Sequence, residues 1–156
     1  MHEPQEVNSA LTATRDTTAT PEQVWAVMAD GWTYSQWVVG NGRMRAVDAD
    51  WPAPGSKIHH TIGVWPLIIN DETEVEACTP RRELVLLARV RPFGKARITV
   101  RLTVSPTGCR IEMSEVPAGG PLSLVPQRVA LAAVWPRNRE CTWRLAAHAE
   151  RRTQPQ

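Results

Sequence analysis

The chain has 156 residues, 42% of them hydrophobic, and a net charge of +2. That length suits one domain with a real core or a cavity, and that charge is too small to imply nucleic acid as a partner. No apolar run approaches the ~18 residues of a membrane span, so no stable membrane insertion is expected.

Met1 to Glu6 is polar, lacks a signal peptide's apolar stretch, and reads as a flexible N-terminus. A cytoplasmic location is the expectation. Val7 to Thr17 reads as a strand with Val7, Ser9, Leu11 and Ala13 on one face. Thr20 then opens a helix. It suits the N-cap, Pro21 suits the first helical position, and Gln23 completes a Thr-x-x-Gln capping box. Val24, Val27 and Met28 recur at helical spacing, with Trp25 widening the apolar face. Asp30-Gly31 stops this helix. Tyr34 to Val38 allows another short one before Gly40, Asn41 and Gly42.

A long run of strands follows. Arg45 to Ala49 is a short strand and Trp51 to Gly55 a rigid, proline-rich loop. Ser56 to Val64 alternates Ile58, His60, Ile62 and Val64 against Lys57, His59, Thr61 and Gly63. Trp65-Pro66 makes a turn into Ile69 to Ala77. Glu83 to Arg91, Ala96 to Val104 and Cys109 to Val116 complete the set. The period of two indicates antiparallel strands with one face buried.

Turn chemistry suggests register. Reading Pro92-Phe93-Gly94 as a three-residue loop sets Ala88 opposite Ile98 and Leu86 opposite Val100 inside, and Arg89 opposite Arg97 outside. Matching faces sets Leu102 opposite Ile111, Arg101 opposite Glu112, Val75 opposite Leu86 and Glu72 opposite Arg89. The outer face then interleaves arginines with carboxylates, which favours cross-strand ion pairs over a phosphate track.

Val116 to Pro126 reads as a loop. Val129 to Val134 is an apolar stretch that Pro136 should end, because Trp135 precedes a proline. The final helix is expected from about Pro136 to Arg151, with Asn138, Cys141, Leu145 and His148 on one face. Thr153 to Gln156 reads as a disordered tail.

Several segments together resemble the START-like (SRPBCC) superfamily, the polyketide cyclase/dehydrase and lipid-transport group. They are Ala19-Thr20-Pro21-Glu22-Gln23-Val24-Trp25, Tyr34-Ser35-Gln36-Trp37, Gly55-Ser56-Lys57-Ile58, Arg81-Arg82-Glu83-Leu84, Gly120-Pro121-Leu122 and Arg137-Asn138-Arg139-Glu140. The resemblance implies an α+β helix-grip (START/Bet v 1-like) fold over residues 7–152. A curved antiparallel sheet of about seven strands would wrap a C-terminal helix, with two short helices after the first strand. Family members usually carry a long uninterrupted final helix, so Pro136 is a departure. A strongly curved sheet cannot press evenly on one helix, and an elongated apolar gap between them would be a ligand site.

His60 faces inward by alternation. It reads either as an acid/base or carbonyl-orienting group, or as a core histidine bonded to Thr73. Glu115 shares the inward parity of its strand, but its position at the strand end favours exposure at the rim. Asn138 is placed to meet a ligand carbonyl or to cap a helix start. Trp37, Ile62, Trp65 and Met113 are candidate pocket walls, with core packing as the alternative. Trp25, Trp32 and Trp143 are expected to fill core or cover sheet ends. His59 and His60 point to opposite faces, and Cys78, Cys109 and Cys141 lack ligand spacing, so neither a metal nor another cofactor is expected. No nucleophile elbow, phosphate loop or dinucleotide fingerprint occurs.

The reading that follows is a binder of a small hydrophobic ligand: a lipid, polyketide or aromatic metabolite. The alternative is a polyketide cyclase or dehydratase using His60 or Glu115. A third possibility is a partner-binding protein whose interior is filled by its own side chains. Oligomeric state is open.

Overall fold

The computed structural model describes residues 12–90 and 92–152; the expected strand residues 7–11 and both termini lie outside these. Chain order is β1 (Ala13–Thr17), α1 (Pro21–Ala29), a 3-10 turn (Gly31–Thr33), α2 (Tyr34–Trp37), then strands β2 (Asn41–Val47), β3 (Lys57–Val64), β4 (Leu67–Thr79), β5 (Glu83–Val90), β6 (Gly94–Ser105) and β7 (Gly108–Gly119). A second 3-10 turn (Pro121–Leu124) leads into α3 (Gln127–Arg152). The strands form one antiparallel sheet ordered β1-β7-β6-β5-β4-β3-β2. This is the helix-grip fold.

The capping box of α1 is present. The Thr20 hydroxyl accepts from the Gln23 N–H at 3.3 Å, and the Gln23 side chain accepts from the Thr20 N–H at 2.8 Å. Val24, Val27 and Met28 bury the inner face of α1. They meet Ile58, Val75, Leu86, Val100 and Ile111 from the sheet and Leu145 and Ala149 from α3. Each such Val, Leu, Ile or Met side chain contributes roughly 1.5–3 kcal/mol by leaving water. Trp51 donates its ring N–H to the Met28 carbonyl at 3.2 Å, closing the end of α1 that its partner residues leave open. Cys109 and Cys141 are buried free thiols and Cys78 is half-buried.

Register agrees at β6–β7, where Leu102 faces Ile111 and Arg101 faces Glu112, and at β4–β5, where Val75 faces Leu86. It differs at β5–β6. Ala88 pairs with Ala96, Leu86 with Ile98 and Arg89 with Lys95, because Val90 and Gly94 close the hairpin. Gly94 is a strand residue (φ 128°), not the last loop residue. A Cβ there would lie 1.9 Å from the Gly119 carbonyl oxygen, so the close approach of β7 sets this position. The shift is two residues, so every side chain keeps its face. The outer ion pairs are consequently Arg89–Glu72, Arg97–Glu76 and Arg101–Glu83.

The final helix also differs from expectation: α3 runs unbroken from Gln127 to Arg152 with Pro136 inside it. Leu131 before the proline and Asn138 after it are both buried, so packing holds the two halves in line. Ala132, whose carbonyl loses its helical donor, lies on the exposed face together with Pro136. Thr17 donates to Glu150 at 2.6 Å, and Arg152 reaches Asp30 at 3.2 Å, fastening the far end of α3 to β1 and α1.

Of the tryptophans expected to fill core or cover sheet ends, Trp25 packs against the core, whereas Trp32 and Trp143 are half-exposed and do not fill it.

Candidate functional site

Between the sheet and α3, buried polar side chains from separate elements come together. From the sheet side, His60 on β3 is 4% exposed, and its Nε2 lies 2.9 Å from the Thr73 hydroxyl on β4. His60 is in register with Asp71, and Thr73 with Ile58, so this bond runs diagonally instead of straight across the pair. Burial pushes the His60 pKa down, which leaves a neutral ring near pH 7 with one donor and one acceptor nitrogen. Its Nδ1 has no hydrogen-bond partner.

From α2 come the two aromatic walls. Tyr34 stands 5.7 Å from the His60 ring and 5.5 Å, edge-on, from the Trp37 ring. Burial pushes the Tyr34 hydroxyl up to about 12, against the opposing pull of the Thr73 hydroxyl and the Arg137 charge. Tyr34 is therefore neutral near pH 7, with the Thr73 hydroxyl on the sheet side and the Arg137 charge on the helix side. Trp37 is buried with its ring N–H unpaired.

From α3 come Arg137, Asn138 and Cys141. Arg137 donates through Nε to the Val39 carbonyl at 2.8 Å and through Nη1 to Glu115 at 2.5 Å. Cys141 sulfur accepts from the Val39 N–H at 3.3 Å. Burial raises the Glu115 pKa while Arg137 holds it down. With its side chain 12% exposed, Glu115 is a buried ion-pair partner and not the exposed rim carboxylate expected from its place at the strand end. The cause is Arg137, which no local pattern brings to that strand. Asn138 is 1% exposed, and neither its amide nitrogen nor its oxygen has a partner. It does not cap a helix start, because α3 begins eleven residues earlier, at Gln127.

The remaining expected residues divide. Met113 is buried in the core and Ile62 is half-buried opposite Ile69. Trp65 is 80% exposed on the β3–β4 turn and walls no interior space, because the turn carries it past the last strand pair. Sequence reasoning missed Tyr34, Arg137 and Cys141 as site residues. The helical neighbourhood of Asn138 could have drawn in Cys141, and the single tyrosine of the chain was a further signal. Among the described residues, no group of three His, Cys, Asp or Glu side chains is arranged to hold a metal ion.

The sequence matches the family described as "Polyketide cyclase / dehydrase and lipid transport" over residues 9–150. The chain belongs to this family. It is thus a member of the SRPBCC superfamily, with a scaffold used for ligand binding or cyclase-like chemistry. No curated protein matches its sequence. Solved structures share the family's fold at low identity. A Staphylococcus aureus protein of unknown function is 14% identical, with TM-score 0.67, covering 92% of this chain and 94% of that one. The protein Ara h 8.0201 is 11% identical with TM-score 0.67, covering 90% of this chain and 96% of that one. DynU16, a putative protein in the dynemicin biosynthetic locus, is 17% identical with TM-score 0.62. It covers 89% of this chain and 46% of that one.

Proposed function

We propose that this polyketide cyclase/dehydrase-family protein binds a small, largely apolar molecule bearing a carbonyl or hydroxyl group, held between the sheet and α3. One observation carries the reading. Asn138 keeps both hydrogen-bonding atoms unpaired at 1% exposure, and Trp37 Nε1 and His60 Nδ1 are unpaired too. Burying such groups dry costs about 1–3 kcal/mol each, and a bound oxygen would offset that cost. Apolar burial against Trp37, Tyr34 and Ile62 would supply the affinity, at about 25 cal/mol per Å². The test is titration with an environment-sensitive apolar fluorophore, displaced in turn by a fatty acid and by an aromatic ketone. Saturable binding that weakens in Asn138→Leu supports the reading; no saturable binding of any of the three rejects it.

His60 favours a second reading, proton transfer on such a ligand. Its ring is neutral, buried, and has one nitrogen uncommitted beside the Tyr34 ring. A folded His60→Gln protein that still binds a poly-β-carbonyl substrate but no longer cyclises it would support catalysis.

A further inference from the structure

Three chain reversals lie at the end of the grip where α3 begins. They are the β3–β4 turn at Trp65-Pro66, the β5–β6 turn at Pro92-Phe93, and the 120–125 link from β7 to α3. Register sets them at one end of the sheet. Val64 pairs with Leu67, Val90 with Gly94, and Lys95 with Gly119, while Thr73 pairs with Ala88, so β5 ends level with Asp71 and the β3–β4 turn projects beyond the other two. The Leu122 N–H donates to the Phe93 carbonyl at 2.7 Å, joining two of the turns directly.

Each reversal holds a large apolar side chain out in solvent. Trp65 is 80% exposed, Leu67 79%, Phe93 58% and Leu124 86%. The fold gains nothing from these exposed side chains, and turn chemistry alone would favour polar residues. Within the turn segments themselves the charges have one sign. Residues 61–70 carry no charged side chain, residues 92–96 only Lys95, and residues 116–136 only Arg128. Arg43 lies on β2, whose first residue, Asn41, pairs with Ile62. Arg43, Lys95 and Arg128 are all exposed.

Apolar tips whose own segments carry cations and no carboxylate match the boundary of an anionic bilayer, although Lys95 also has Glu72 and Glu74 beside it on the sheet face. The tips would enter the acyl region while the cations meet phosphate headgroups. A second copy of this chain fits less well, because two-fold pairing of this end would set Lys95 and Arg128 near their own counterparts. We propose that this end of the molecule docks on an anionic lipid surface. Neither the interior site nor its ligand enters this argument.

Co-sedimentation of the full chain with vesicles, with no interior ligand added, tests the proposal. Vesicles of phosphatidylcholine alone are compared with vesicles containing about a third phosphatidylglycerol. Binding should be at least about tenfold stronger to the anionic vesicles and should fall as salt is added. Trp65→Ser with Leu124→Ser should weaken it by about tenfold or more, and Lys95→Glu with Arg128→Glu by a similar factor. All four side chains are exposed, and circular dichroism verifies that the variants fold. Three results overturn the proposal. One is failure to bind either vesicle, and another is binding that the Trp65→Ser, Leu124→Ser variant leaves unchanged. The third is a wild-type dimer in sedimentation velocity that this variant dissolves, which would give the face to a second copy.

Discussion

Arg137 Nη1 on α3 lies 2.5 Å from Glu115 Oε2 on β7, and the same guanidinium donates to the Val39 carbonyl beyond α2. One side chain thus ties together the helix, the sheet and the short helices at the polar side of the interior. Arg137→Met should strand the Glu115 carboxylate in a poorly hydrated place and lower stability by about 1–3 kcal/mol. Glu115→Gln in the Arg137→Met background should recover part of that loss, because no buried charge then remains unpaired. Urea unfolding of the two single variants and the double variant measures the coupling. Strict additivity would show that the pair does not act as a unit.

His60 gives the fold a dependence on pH. Its folded pKa lies below the ordinary 6.5 because of burial, so the folded state binds fewer protons than the unfolded state. The stability it contributes is fully present above pH 6.5 and is lost as pH falls through the folded value. His148 is shifted in the same direction, by burial and by Arg151 and Arg152. The urea midpoint should therefore decline on acidification below neutrality. His60→Gln should flatten that decline, and His148→Gln should flatten what is left. An unchanged slope in both variants would contradict the assignment.

Asn138 should show a trade between stability and binding. Asn138→Leu removes two unpaired buried polar atoms at similar volume and should leave the ligand-free protein as stable or about 1–2 kcal/mol more stable. The same change should weaken binding of a carbonyl-bearing apolar ligand by about tenfold or more, the worth of one buried hydrogen bond. Thermal melts and fluorophore displacement on the same preparation read both effects. A strongly destabilised Asn138→Leu protein would mean that the amide serves the fold.

Pro136 interrupts the hydrogen-bond ladder of a helix that is otherwise continuous. An interior proline costs a helix up to about 3 kcal/mol relative to alanine, and solvent at the Ala132 carbonyl recovers part of that. Pro136→Ala should raise stability by about 1–2 kcal/mol, seen as a higher Tm. A lower Tm would show that the proline fits a bend the packing requires.

Local chemistry made much of the fold legible in the sequence. The Thr20–Gln23 box set the start of α1, period-two alternation put His60 beside Thr73, and the faces of β6 and β7 fixed Leu102 against Ile111. The failures share a long-range cause. Local chemistry makes Gly94 a loop glycine, but it answers to Gly119 on another strand. Local chemistry makes Pro136 a break, but buried Leu131 and Asn138 carry the helix through it. Glu115 was expected at an exposed rim because its partner, Arg137, arrives from α3. Alternation and helical spacing placed His60, Thr73 and Asn138 on inward faces, where they are buried. They did not show which side chains the curvature of the sheet would gather around them.

The central claim is that the interior between sheet and α3 receives an apolar small molecule. Native mass spectrometry of protein purified under mild conditions tests it most directly. An added mass should be present that vanishes on denaturation, or should appear when an apolar carbonyl compound is offered, and should be reduced in Asn138→Leu. A bare protein mass, unchanged with every apolar compound offered, would contradict it.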